Sequence, residues 1–263
     1  MKIKYYRYNS FTIENKKVKI VIDPGRDLLW YKLNSLIPRP EWEGVTHILV
    51  THGDPDHFVF TVPMAKKSKA QVICHEELAE DIASEKIDSV RSIDVGEVID
   101  LKDFQVKGLK VVHGPLEAKL LFGLVDIKAE KQVHSHGTIK LLFGLIKLEK
   151  DDIDFARGSM GFKITIDNKI IVNLGDSLPQ KEWEGLEPDI LMIPIGGGMS
   201  MDQEEALEAV RSMAPKKVIP CHYNNDLLWQ RNFYPADDQL FKREVEKMGI
   251  ECTIMEYGDE IEV

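Results

Sequence analysis

The stretch Thr51-His52-Gly53-Asp54-Pro55-Asp56-His57 follows directly on the apolar run Val45 to Val50, and its reading decides the fold. Two imidazoles and two carboxylates fall within six residues. In an extended segment His52 and Asp54 point the same way, and the adjacent pair Asp56-His57 reaches a second point beyond them. Gly53 and Pro55 break regular structure between these side chains, so the segment reads as a loop leaving a strand end on a rigid scaffold. A polar turn is the ordinary alternative. Four potential ligands at this spacing point instead to a metal site, because imidazoles and carboxylates rarely crowd together without a counter-charge.

The same arrangement recurs downstream. The predicted strand Gln105 to Val112 ends on His113, before the breaker pair Gly114-Pro115; Val172 to Leu174 runs into Gly175-Asp176; Val218 to Cys221 ends on His222. Histidine nitrogen and carboxylate oxygen without thiolate suit Zn, Mn or Fe, and a pair of such ions needs a bridging carboxylate, the part given to Asp176. Asp23, in the stop signal Asp23-Pro24-Gly25, is either a buried acceptor behind a ligand histidine or a turn-forming residue.

Taken together these residues resemble the metallo-β-lactamase superfamily, in the metal-dependent hydrolase branch that includes the L-ascorbate 6-phosphate lactonase-like proteins. The resemblance spans nearly the whole chain and rests on Asp23-Pro24, Thr51 to His57, His113, Gly175-Asp176-Ser177, Pro194 to Gly198, and Val218 to Asn224. It implies an α+β chain folded as an αββα sandwich, one domain over 1–263 with an inserted arm at about 114–157. It also implies two divalent metal ions at one edge between two sheets, and hydrolysis by a metal-activated hydroxide. Carried over by position, His52, Asp54 and His113 hold the first ion, Asp56, His57 and His222 the second, and Asp176 bridges. Asp56 is also carried as the catalytic residue.

One position departs from the family pattern His-x-His-x-Asp-His: Asp54 stands where the second histidine belongs. A carboxylate lowers the Lewis acidity of its metal and favours harder ions such as Mn(II) or Fe(II) over Zn(II). The flavodiiron oxygen reductases of the superfamily also carry a carboxylate there, so a di-iron redox protein is a competing expectation, as is a phosphodiesterase or nuclease. No flavodoxin-like module follows the motifs, which favours the hydrolase. The expected substrate is a small, anionic ester, lactone or phosphoester.

Composition agrees with a small-molecule enzyme. The 263 residues, 43% hydrophobic, leave ample core, and the net charge of -10 disfavours a general nucleic-acid binder. Cys74, Cys221 and Cys252 are too few and scattered for a disulfide framework, which places the chain in a reducing cytoplasm. No apolar run approaches the ~18 residues of a membrane span, and no signal peptide is expected at the start. Cys221 neighbours His222 on a strand, so it faces away from the metals into the core. Ser177 belongs to no serine triad, since no Gly-x-Ser-x-Gly elbow exists.

Along the chain, Ile3 to Ile13 and Val18 to Ile22 read as a hairpin, Phe58 to Lys67 and Glu76 to Lys86 as helices, and Val90 to Leu101 as strands around Gly96. Asp189 to Ile195 is a strand, and Gly196-Gly197-Gly198 precedes a helix to about Met213; its start either seats a phosphate or simply packs on the sheet. Leu240 to Met248 is a helix, and Cys252 to Met255 begins a closing strand pair. Between His113 and Gly158 the chain repeats Lys-Leu-Leu-Phe-Gly-Leu, at 119–124 and 140–145. These paired apolar segments form an arm over 116–150 that packs on the body, on another subunit as a homo-oligomer, or over the active-site mouth. His134 and His136 lie at its polar middle and are left out of the site.

Overall fold

A computed structural model of the chain describes residues 1–26, 34–114, 156–228, 231–233 and 236–263. The arm, its internal repeat, and His134 and His136 lie outside the described residues. Among the described residues, two seven-stranded sheets carry the fold.

The first sheet contains β1 (Lys2–Tyr5), β2 (Phe11–Glu14), β3 (Lys19–Ile22), β4 (His47–Leu49), β5 (Gln71–Cys74), β6 (Val90–Ser92) and β16 (Glu260–Glu262), in the order β16-β1-β2-β3-β4-β5-β6. The second contains β7 (Val98–Asp100), β8 (Gln105–Leu109), β9 (Gly161–Ile166), β10 (Lys169–Asn173), β11 (Ile190–Pro194), β12 (Lys217–Cys221) and β15 (Glu251–Cys252), in the order β15-β12-β11-β10-β9-β8-β7. Each sheet joins an antiparallel meander to a parallel set: β3 to β6 run parallel in the first, β10 to β12 and β15 in the second. A small hairpin, β13 (Asn225–Leu228) with β14 (Arg231–Phe233), stands apart.

Strand alternation sorts the apolar side chains into three layers. Ile20 and Ile22 of β3 meet Ile171 of β10 and Ile219 of β12 between the sheets, whereas Val21 and Val172 turn outward. Because both faces of the central strands are covered, runs such as Ile190–Pro194 are buried throughout and read as continuous apolar stretches. Outside the first sheet, α2 (Thr61–Ser68) and α3 (Glu76–Ser84) bring Met64, Ala65, Leu78 and Ile82 onto Ile48, Val50 and Val72. Outside the second, α4 (Gln203–Met213) and α5 (Asp238–Lys247) bring Ala206, Val210, Met213, Phe241 and Val245 onto Leu191, Ile193 and Val218. The architecture is the expected α+β, αββα sandwich of the metallo-β-lactamase fold. No helix among the described residues is long and apolar enough to cross a membrane.

Three local expectations change. The strand Ile3 to Ile13 is cut by a turn in which Arg7 and Tyr8 take positive φ (76° and 45°) and Ser10 N–H bonds Arg7 C=O at 2.9 Å. The helix Phe58 to Lys67 is two pieces, α1 (Pro55–Phe58) and α2, because Phe60 N–H leaves the helical ladder for Pro24 C=O at 2.9 Å. The strands around Gly96 form but join different sheets, β6 the first and β7 the second, and the pair expected after Cys252 is no pair, since β15 lies in the second sheet and β16 in the first. Sheet edges stand side by side in a sandwich, so a short link reaches either one.

Candidate metal centre

All seven expected ligands come together at one end of the sandwich, beyond the C-terminal ends of strands from both sheets. β4 leads to His52, and Asp54 is the N-cap of α1, which carries Asp56 and His57. β8, β10 and β12 run out to His113, Asp176 and His222. The side chains form three overlapping clusters: His52, Asp54 and His113; His52, His57 and Asp176; Asp56, His57 and His222.

Most of the distances are longer than a hydrogen bond and suit donors arranged around a common centre. Asp54 Oδ2 stands 3.6 Å from His52 Nε2 and 3.6 Å from His113 Nε2. Asp56 Oδ2 is 3.6 Å from His57 Nε2 and 3.4 Å from His222 Nε2. Asp176 Oδ2 faces His57, His113 and His222 Nε2 at 3.6, 4.0 and 3.2 Å. Two donors bound at about 2.1 Å to one tetrahedral ion stand about 3.4 Å apart, the spacing seen here. His52 Nε2, His57 Nε2, His113 Nε2 and Asp176 Oδ1 are buried without a hydrogen-bond partner among the described residues. Buried polar atoms are normally satisfied, so this convergence fits divalent cations.

The hydrogen bonds behind the imidazoles fix their tautomers. His57 Nδ1 donates to Asp23 Oδ2 at 2.7 Å, and His113 Nδ1 donates to Gly114 C=O at 2.8 Å. Thr51 Oγ1 donates to Asp23 at 2.6 Å, so it accepts from His52 Nδ1 at 3.0 Å. His52, His57 and His113 therefore each present Nε2 to the centre.

Without cations, protons hold the cluster together. Burial opposes charge on His57, but Asp176, Asp56 and Asp23 outweigh it and place its pKa well above the ordinary histidine value. His113 is raised likewise against its burial, by Asp54 and Asp176. Burial also opposes ionisation of Asp54 and Asp176, yet His113 and His52 beside the first, and His222 and His57 beside the second, hold both well below the usual carboxylate range.

Asp23 is the buried acceptor rather than merely a turn residue. Its carboxylate takes Thr51 N–H at 2.7 Å, Thr51 Oγ1, Asn9 Nδ2 at 2.7 Å and His57 Nδ1. Asn9 and Asn173 exchange reciprocal amide bonds at 2.9 Å each, joining the β1–β2 turn of one sheet to β10 of the other. Sequence reasoning missed both asparagines and Thr51; Asn173 and Thr51 signalled only as polar residues at the end of an apolar strand, and Asn9 as a polar residue inside the expected strand Ile3 to Ile13. It also missed Ala156, whose N–H bonds Asp54 Oδ1 at 2.9 Å. Gly25 passes so close to the metal loop that a Cβ there would lie 1.6 Å from Asp56 C=O, and Gly175 (φ +55°) packs its backbone on Thr51.

Other candidates take structural parts. Asp202 caps α4 by accepting Glu205 N–H, and Glu205 reaches back to Asp202 N–H, so the glycine-rich run leads to a helix start already filled by carboxylates rather than to a phosphate seat. Ser177 Oγ accepts from Val112 N–H at 3.1 Å and donates to Leu178 C=O at 2.8 Å. Cys221 lies in the core between the sheets, and all three cysteines are buried and free.

Comparison with known proteins identifies the family. The beta-lactamase superfamily domain matches residues 2–222. A UPF0173 metal-dependent hydrolase of Nanoarchaeum equitans is 30% identical over 272 residues, covering 100% of both chains. Igni18, a metallo hydrolase from Ignicoccus hospitalis, superposes with a TM-score of 0.73 at 20% identity, over 99% of this chain and 97% of that one. CmlA, a diiron beta-hydroxylase from Streptomyces venezuelae, superposes with a TM-score of 0.69 at 12% identity, over 100% of this chain and 54% of that one. The chain belongs to the beta-lactamase superfamily, among its UPF0173 metal-dependent hydrolases.

Proposed function

We propose that the chain is a cytoplasmic hydrolase, one domain over 1–263, that uses two divalent cations to cleave a small, anionic ester, lactone or phosphoester. The observation that carries the two-ion reading is the convergence of buried, unbonded imidazole nitrogens on three carboxylates. His52, Asp54 and His113 would hold one ion and Asp56, His57 and His222 the other. Asp176 Oδ2, within 4.0 Å of histidines from both sets, suits the bridging position. When bound, the cations supply Lewis acidity and bring the pKa of water toward neutrality.

The chain's own residues do the rest. Asp23 and Thr51 keep His57 and His52 in the ligating tautomer. Asp56, next to His57 on α1, would take a proton from the attacking water and deliver it to the leaving group. Asp54 adds a third anion to the cluster, which favours Mn(II) or Fe(II) over Zn(II). A net charge of -10 supports a small-molecule substrate over nucleic acid, and the 116–150 arm is the expected contact for a second copy of the chain.

The test is metal analysis of protein purified without chelator, paired with turnover of an ester, a lactone and a phosphodiester. Two ions per chain with hydrolysis of one class support the reading; tight metal retention without turnover overturns it. The Asp54 carboxylate also favours a second reading, a di-iron redox protein, which iron-dependent oxygen consumption would reveal.

A further inference from the structure

The two ligand sets share the Asp23–Thr51 support, which holds His57 of one and His52 of the other, but differ in what holds their remaining members. His57 and His222 are fixed by the sandwich itself, through Asp23 and through Tyr8 C=O, which accepts His222 N–H at 3.0 Å. In the other set, His113 bonds Gly114 C=O and Asp54 bonds Ala156 N–H, backbone groups that flank residues 115–155 on either side. The Ala156 bond takes Asp54 Oδ1, and this leaves Oδ2 facing His52 and His113.

Ala156 is held there from outside. Its φ of 67° is left-handed, a conformation that alanine disfavours. The neighbouring Arg157 guanidinium donates to the Asp81 carboxylate and to Glu77 C=O, both on α3. Gly158 N–H donates to Glu77 Oε2 at 2.7 Å, and Arg157 C=O accepts Gly53 N–H at 3.0 Å. The three residues are thus clamped between α3 and the metal loop. The Ala156 N–H is what fixes Asp54 Oδ1; without it the carboxylate is free to swing both oxygens about the facing His52 and His113.

We propose that Arg157 is a positioning residue for Asp54: by fixing Ala156 it sets the metal affinity of the first site and leaves the second untouched. This rests on the two-ion reading above. The Arg157–Asp81 pair is well exposed (37% and 59%), and exposed pairs add little to global stability. A positioning role and a structural one therefore predict different results.

The experiment is equilibrium dialysis of the full, metal-free chain against Mn(II) and against Zn(II), for the unmodified protein, Arg157→Ala, Arg157→Lys and Asp81→Asn, with thermal melts alongside. The unmodified protein should take up two ions. Arg157→Ala should weaken one binding step about tenfold, the step that His113→Ala removes, and leave the step that His222→Ala removes unchanged. Its metal-free melting temperature should barely move. Arg157→Lys should recover part of the affinity, since an ammonium still reaches one of the two acceptors, and Asp81→Asn should fall in between. Equal weakening of both steps, or of neither, overturns the proposal with the two-ion reading intact. Fewer than two ions in the unmodified protein overturns that reading, and the proposal with it.

Discussion

Asp23→Asn changes one oxygen to an amide nitrogen at the hub behind His57, with no change in shape. The carboxylate accepts from four donors, three of them at Oδ2 and Thr51 N–H at Oδ1. An asparagine keeps the three by turning its carbonyl toward them, which sets its NH2 against Thr51 N–H at a site with no exposure. That opposition costs about 1–3 kcal/mol, and the three surviving bonds lose their charge assistance. The expected total is about 3 kcal/mol, a fall of roughly 6–12 °C in melting temperature for a chain of this size. His57 also loses an anionic partner, so the ion it shares with Asp56 and His222 should bind about 10–100-fold more weakly. Thermal melts of the metal-free protein measure the first effect, and metal titration of both proteins the second. A variant with unchanged melting temperature and unchanged affinity would refute the role given to Asp23.

His57→Ala and His222→Ala should each lose one ion and the hydrolytic activity together; full metal content with full turnover in either variant would remove it from the ligand set. Asp54→His should shift preference toward Zn(II) and move the pH–rate profile to lower pH, checked by reconstitution with Zn(II), Mn(II) and Fe(II). If the unmodified protein prefers Zn(II) as strongly as the variant, Asp54 is not a ligand. The metal-free protein should be most stable between about pH 4 and about pH 6.5. The raised pKa values of His57 and His113 contribute stability that is complete below the ordinary histidine value and lost as pH rises through the raised ones; the depressed Asp54 and Asp176 contribute stability present above the ordinary carboxylate value and lost as pH falls. Melting curves from pH 4 to 9 with chelator test this, and excess metal should abolish the alkaline loss because cations take the place of the protons.

Individual strands were legible because covering on both faces leaves unbroken apolar runs, whereas the sandwich followed from the family resemblance; the candidate site showed in residues that sit where such a run stops. Asp189 to Ile195 and the His52, His113, Asp176 and His222 positions needed nothing beyond this rule. The rest depended on partners far away in the chain. The turn at Arg7 and Tyr8 uses left-handed backbone without glycine, so no residue signalled it. The strands after Gly96 and after Cys252 were visible as strands, but which sheet each joins is settled by edges brought together only on folding. Asn9 and Asn173 are 164 positions apart, and neither means anything without the other. Ala156 likewise acts through its backbone, which its side chain does not advertise.

The Asn9–Asn173 pair has a mechanical consequence. Two sheets that meet through isoleucine, phenylalanine and methionine side chains attract each other without direction, so packing alone names no single polar point of register. Slippage by one strand position, about 3.3 Å, would force that layer to repack and would part both amide bonds. The pair works as a locating pin. It keys one half of the molecule to the other directly beneath the cluster, so that side chains delivered by opposite sheets arrive at the same point in space.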